Sequence, residues 1–174
     1  MSSSEENSLN PPCEYQDNLN LLRQTYFFAG LPLEVLKVFA YLCTREKYKP
    51  GDSLFRQGED DGNAFCIISG RARLELQAGE PPHTLRIVGP GQFIGGLTLL
   101  GPTTRLYSLE AVDETVSIVL SREKFSKTIQ QFPEQMPRLF KAVVVAVNEW
   151  ERLFLETLNP ECSGCRPNLG VSLL

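Results

Sequence analysis

The residue pattern with the clearest chemical meaning is a pair of glycines followed ten residues later by an arginine. Gly95 and Gly96 follow Phe93-Ile94 and precede Leu97-Thr98-Leu99-Leu100, and the arginine is Arg105. Glycines let a ligand approach the backbone, and the N–H groups at the start of a helix attract anions. A guanidinium clamps a phosphate with its planar fork. The pattern therefore predicts a phosphate cradle, although most glycine-rich turns are only turns.

Three other groups of residues carry side chains that could bind a metal or take part in catalysis. Cys162 and Cys165 form a CxxC pair, but a zinc or cluster site needs about four ligands. The pair is therefore a weak metal or redox candidate, and an incidental tail is the simpler interpretation. The acidic turn 59–61 lacks the ligand spacing of a calcium loop. His83, the single histidine, has no nucleophile paired with it, so we expect no enzyme activity.

The elements that must position the cradle are short strands separated by glycines. Ten of the 13 glycines fall between Gly51 and Gly101. Segments 54–55, 64–68, 71–77, 84–88, 107–112 and 115–120 have the apolar or alternating character of strands. Helical spacing of apolar residues precedes them and follows them. The predicted fold is α+β and mainly β, a jelly-roll-like β-roll or double-stranded β-helix with N-terminal helices and a long C-terminal helix.

We predict one domain with short extensions. Residues 1–17 are expected to form a flexible leader, and 18–158 the domain, with the roll at about 44–120 and C-terminal helices at about 121–158. Within the latter, Ser121 is the predicted N-cap of a short helix, and a long helix runs from about Pro137 to Leu158. Residues 159–174 are expected to be a tail.

The chain resembles the cyclic nucleotide-binding domain family, from about Leu22 to Leu158. The resemblance rests on the glycines and apolar residues of stretch 48–59, on Asp61-Gly62, and on segments 65–70 and 93–97. It implies a β-roll, and it implies that residues 93–108 are the phosphate-binding cassette. It also implies a ligand, cyclic AMP or cyclic GMP, held by Ile94, Gly95, Gly96, Leu97, Thr98, Arg105 and Leu106, with no further cofactor.

Two positions depart from the family pattern. Gly96 stands where the family usually has a glutamate, which accepts a hydrogen bond from the ribose 2′-hydroxyl. Its loss is expected to remove about 1.5–3 kcal/mol, on the order of 10- to 100-fold in affinity. Leu106 replaces the usual small residue after the arginine and is expected to crowd a phosphate oxygen. A degenerate fold that binds no nucleotide and serves protein interaction is therefore the alternative.

The long C-terminal helix carries an apolar seam. Met136, Phe140, Val143, Val147, Trp150 and Phe154 are spaced 4, 3, 4, 3 and 4 residues apart, as in a heptad repeat. A helix packed only on its own core is the alternative. The resemblance favours a homodimer through Phe140, Val143, Val147, Trp150 and Phe154. It also implies that Trp150 lies near a bound base, where it would stack, fill an empty pocket or join the dimer core.

Composition limits the function classes. The net charge is −4 and the pI about 5.1, which disfavours general nucleic-acid binding. The 16 residues after Leu158 are too few for a helix-turn-helix domain, so we expect no DNA-binding domain. No export signal or membrane span is visible and five cysteines are an odd number, so a cytoplasmic location is expected. The sequence leaves a downstream protein partner unidentified.

Overall fold

The structure, a computed structural model, describes residues 11–157. Its order is α1 (Pro11–Gln24), α2 (Leu33–Leu42), β1 (Thr44–Tyr48), β2 (Ser53–Phe55), β3 (Asn63–Ser69), β4 (Ala72–Leu76), β5 (His83–Val88), β6 (Phe93–Ile94), α3 (Gly96–Leu100), β7 (Ser108–Ala111), β8 (Thr115–Ser121), α4 (Arg122–Gln131) and α5 (Met136–Thr157). A 3-10 turn, Pro133–Gln135, joins α4 to α5. The mainly β fold class is confirmed.

Eight strands in the described range form two four-stranded antiparallel sheets. One sheet has the order β1-β8-β3-β6 and the other β2-β7-β4-β5. Each sheet pairs an early strand with a late one, β1 with β8 and β2 with β7. The chain therefore forms a roll rather than a meander. The strands β2–β5, β7 and β8 match the six predicted segments within two residues. The polar strand β1, Thr44–Tyr48, has no apolar alternation and was not predicted as a strand.

Apolar side chains fill two layers. Between the sheets lie Phe55, Phe65, Ile67, Leu109 and Val119, together with smaller residues. Between the first sheet and the helices lies an aromatic group that includes Phe27, Phe28, Phe39 and Phe125. These two layers hold the segment from β6 to β7, which carries the predicted cradle.

The helix boundaries correct one expectation and support another. Helix α1 begins at Pro11, so residues 11–17 are helical and do not belong to the predicted flexible leader. Its Asn18 and Glu14 bind the Arg45 side chain, which ties the helix to β1. Ser121 caps α4 as predicted, and its hydroxyl accepts from the Lys124 N–H at 3.4 Å. No helix within the described range combines the length and apolar character needed to cross a bilayer.

Candidate ligand-binding site

The predicted cradle lies at one wall of an open cavity of ≈ 680 Å³. Helix α3 begins directly after Gly95, whose φ of +85° is in the left-handed region that favours glycine. The Thr98 hydroxyl donates to the carbonyls of Gly95 and Asn63 at 2.7 and 2.8 Å, which fixes the turn against β3. The predicted site residues Ile94, Gly95, Gly96, Leu97, Thr98, Arg105, Leu106 and Trp150 all line this cavity.

Arg105 is held by an acidic partner that the sequence did not reveal. Its Nε and Nη2 donate to the two carboxylate oxygens of Asp61 at 2.8 and 3.0 Å, and Nη2 also donates to the Asn63 carbonyl at 2.5 Å. The guanidinium lies 3.8 Å from the centre of the Phe55 ring, and Arg105 is only 6% exposed. Such burial requires a paired charge, which the bidentate carboxylate supplies.

The third guanidinium nitrogen of Arg105 remains available to a ligand. No hydrogen bond joins Nη1 to any residue in the described part of the chain. A Cβ built on Gly95 would lie 2.5 Å from this atom, so a side chain there would cover it. The absence of a side chain at Gly95 therefore keeps Nη1 open, and an anion can reach it without breaking the pair with Asp61.

The two family departures behave differently in the structure. Leu106 lines the cavity and is 75% exposed, so its side chain stands at the open side of the cradle, and crowding of a phosphate oxygen stays a prediction. Gly96 is buried, and a Cβ there would lie 2.9 Å from the Phe93 ring and 3.1 Å from the Phe27 ring. Any larger residue at position 96 must displace these rings.

The opposite wall of the cavity is apolar and comes from α5. Val143, Ala146, Val147 and Trp150 line it. Trp150 is 54% exposed and stacks on Phe154, with ring centres 5.6 Å apart and planes 10° apart. Of the predicted dimer seam, Phe140 and Trp150 are exposed, Val143 packs against the helical core layer, and Val147 and Phe154 are half-buried.

Several cavity residues were not among the predicted site residues, and two tyrosines and an arginine are among them. Tyr26 comes from the connection between α1 and α2, Tyr107 precedes β7, and Arg86 lies on β5. Arg86 makes no ion pair with any residue that the structure describes, and no carboxylate lines the cavity. Among residues 11–157, the charged side chains that line the cavity are thus Arg86 and Arg105, so this part of the surface favours anions although the whole chain is acidic.

The structure offers no metal centre in the part it describes. Residues 11–157 contain no group of three or more histidine, cysteine, aspartate or glutamate side chains able to hold a metal ion. Cys162 and Cys165 lie outside the described residues. Burial raises the pKa of the Cys66 thiol to about 11 and that of Cys43 to about 12, which keeps both in the unreactive thiol form.

Comparison with known proteins identifies the family. The family model described as the cyclic nucleotide-binding domain matches residues 45–132, which is half of the chain. The chain belongs to the cyclic nucleotide-binding domain family. It is 31% identical over 107 residues to the cyclic AMP receptor protein of Thermus thermophilus. The aligned residues make up 61% of this chain and 50% of the receptor.

Two further relatives extend this cyclic nucleotide-binding likeness. Human cGMP-dependent protein kinase 2 is 24% identical over 132 residues, covering 74% of this chain and 17% of the kinase. The structure of a cyclic nucleotide-binding-like protein from Brucella abortus superimposes with a TM-score of 0.62 at 32% identity, covering 66% of this chain and 98% of that one. The chain thus spans half of the Thermus thermophilus receptor and less than a fifth of the human kinase.

Proposed function

We propose that this chain is a non-catalytic regulatory module that binds cyclic AMP or cyclic GMP in the cavity between α3 and α5. The observation that carries the proposal is the open Nη1 of Arg105 beside Gly95 at the wall of a ≈ 680 Å³ cavity. This volume lies within the range of small-molecule sites, about 300–1,000 Å³. Membership of the cyclic nucleotide-binding domain family supports this class of ligand.

Arg105 would neutralise the cyclic phosphate while remaining paired with Asp61. The pair holds the guanidinium plane in place, since two of its three nitrogens are fixed by hydrogen bonds to Asp61 and Asn63. A rigid donor loses little side-chain entropy when the ligand arrives. Gly95 would leave space for the phosphate, and Gly96, Leu97 and Thr98 line the same cavity.

The signal would pass through α5. Trp150 is half-exposed and lines the cavity, so its indole would offer a surface on which a purine base stacks. A ligand that contacts Val143, Val147 and Trp150 binds one position of α5 better than another and so shifts the population of that position. The exposed apolar residues of α5 would transmit this change to a second copy or to another protein.

A second candidate function is a protein-interaction module that binds no nucleotide. It is favoured by the exposed apolar side chains of α5, with Phe140 53%, Val144 56% and Leu155 52% exposed. Contiguous exposed apolar patches on a helix commonly mark an interface. In either function a homodimer through α5, including Phe140, Val143, Val147, Trp150 and Phe154, is part of the proposal.

Calorimetric titration of matched variants tests the nucleotide function. Arg105→Lys keeps a positive charge but loses the fork, so we expect at least a tenfold loss of affinity for the bound cyclic nucleotide. Arg71→Lys is the control, since Arg71 also pairs with an aspartate, Asp113, but does not line the cavity. Equal affinity of the Arg105→Lys variant and the wild type, with both folded in thermal melts, would refute the cradle.

A further inference from the structure

Within residues 11–157, no acidic side chain lines the cavity, although the family resemblance leads one to expect such a group for a ribose hydroxyl. The charged side chains of these residues that line it are Arg86 and Arg105, and both are donors. A ribose 2′-hydroxyl placed near Gly96 therefore meets no carboxylate. The question of which group replaces it rests on the proposed function, because it presumes a cyclic nucleotide in this cavity.

The space next to Gly96 is filled by the connection between α1 and α2. The Phe27 ring lies 3.1 Å from where a Cβ at position 96 would be, and its centre is 5.6 Å from the centre of the Phe93 ring. Phe27 itself is only 2% exposed. The Phe27 ring thus occupies the space that a side chain at position 96 would need.

The residue before Phe27 is Tyr26, and its side chain lines the ligand cavity. Unlike Phe27, it is 56% exposed, so it is accessible to a bound molecule. Partial burial raises the pKa of the Tyr26 phenol, and the neighbouring Tyr107 adds to the effect. The phenol therefore keeps its proton at neutral pH and can both donate and accept a hydrogen bond.

Two other polar side chains of the cavity, Thr98 and Gln92, already make hydrogen bonds within the protein. The Thr98 hydroxyl proton is shared between the carbonyls of Asn63 and Gly95. The Gln92 amide oxygen accepts from the Gly89 N–H at 2.8 Å. Tyr26 differs from both, since its hydroxyl makes no hydrogen bond within residues 11–157.

We propose that Tyr26 is a specificity-determining residue whose phenol hydrogen-bonds the ribose 2′-hydroxyl in place of the missing carboxylate. The insertion of Phe27 beside Gly96 brings Tyr26 to the cavity, so the sugar would be recognised by the N-terminal helical segment. Because a neutral hydrogen bond replaces a charged one, discrimination for the hydroxyl is modest, about 3- to 10-fold in affinity.

The test compares each cyclic nucleotide with its 2′-deoxy analogue. Dissociation constants of cyclic AMP and 2′-deoxy cyclic AMP, and of the corresponding cyclic GMP pair, are measured by calorimetry on the full chain. The wild type is expected to bind the parent about 3- to 10-fold more tightly than the analogue. Tyr26→Phe should reduce this ratio to about one by weakening only the parent. Tyr41→Phe is the control, because Tyr41 is 79% exposed and does not line the cavity.

The outcomes separate this inference from the proposed function. A wild type that binds parent and analogue equally, or a Tyr26→Phe variant that keeps the wild-type ratio, overturns the role of Tyr26 and leaves nucleotide binding intact. Loss of the ratio in Tyr107→Phe instead of Tyr26→Phe also overturns it. Absence of binding by either member of both pairs overturns this inference and the proposed function together.

Discussion

Adding one methyl group at position 96 is expected to destabilise the protein. In Gly96→Ala the new Cβ would lie 2.9 Å from Phe93 Cε1 and 3.1 Å from Phe27 Cδ2. Carbon atoms in contact prefer about 3.5–4.0 Å, so the rings must retreat by roughly 0.5–1 Å. Phe27 cannot retreat freely, because Phe28 and Phe125 also pack against it, with ring centres 5.0 and 6.2 Å away.

The size of the loss follows from overpacking. Forcing a methyl group into a packed core costs about 1–3 kcal/mol. Replacing a helical glycine by alanine by itself raises the free energy of unfolding by roughly 0.5–1 kcal/mol. Taking the middle of each range, about 2 kcal/mol less about 0.75 kcal/mol, the net decrease in the free energy of unfolding is about 1.25 kcal/mol, which corresponds to roughly 2.5–5 °C in Tm for a chain of this length.

Urea denaturation followed by circular dichroism measures this loss. Gly101→Ala is the matched control, since Gly101 ends the same short helix, has an extended φ of 177°, and has no atom within 4 Å of a built Cβ. Combining Gly96→Ala with Phe27→Leu should cost less than the sum of the two single changes, because the smaller side chain relieves the contact. A Gly96→Ala variant with the wild-type midpoint would refute the packing argument.

Three further predictions concern ion pairs and α5. Asp61→Asn leaves the guanidinium of Arg105 buried without its carboxylate, so the free energy of unfolding should fall by about 3–5 kcal/mol, and added cyclic nucleotide should raise Tm more than in the wild type. The Arg71 guanidinium holds the pKa of Asp113 below its ordinary 3.8. The stabilisation by this ion pair is therefore complete well above pH 3.8 and is lost as the pH falls through the lowered pKa. The urea midpoints of Asp113→Asn and the wild type should converge in acid. Phe140→Glu should convert a dimer into a monomer in light scattering after size-exclusion chromatography.

Each of these predictions has its own check. Asp52→Asn serves as the control for Asp61, because Asp52 is an exposed aspartate that accepts a backbone N–H and pairs with no arginine in the described range. A constant difference between Asp113→Asn and the wild type from neutral to acid pH would contradict the second prediction. For Phe140→Glu the control is Lys141→Glu, which changes an exposed neighbour on α5. If the Lys141→Glu variant becomes monomeric to the same degree, the interface is not apolar.

Much of the fold could be predicted because its strands are amphipathic or fully apolar. Period-two alternation at Ala72–Leu76 and the apolar run within Asn63–Ser69 give clear local signals. Strand β1, TREKY, has none, since its pairing with β8 is decided by neighbours far along the chain. Pro11–Gln24 was partly misassigned for a similar reason, because much of its stabilisation comes from long-range contacts such as Arg45.

The candidate site could be predicted only where its residues are consecutive. Gly95 and Arg105 were found because the turn and the arginine lie close together in the chain. The partner of Arg105, Asp61, is 44 residues away, and its turn looks like any solvated acidic turn. Arg86 faces the cavity while its neighbours Leu85 and Ile87 are each 54% exposed, the reverse of what alternation alone would predict. A register shift between Leu74 and Glu75 interrupts the pairing of β4 with β5 at this point.

Binding of a cyclic nucleotide in the cavity at Gly95 and Arg105 is the property on which the proposed function depends. The most direct measurement is calorimetric titration of the wild-type chain with cyclic AMP and with cyclic GMP. We expect saturable binding of one molecule per chain with a micromolar or lower Kd for at least one of them, about −8 kcal/mol or stronger. A folded protein that shows no heat of binding and no change in Tm at millimolar concentrations of either nucleotide would contradict it.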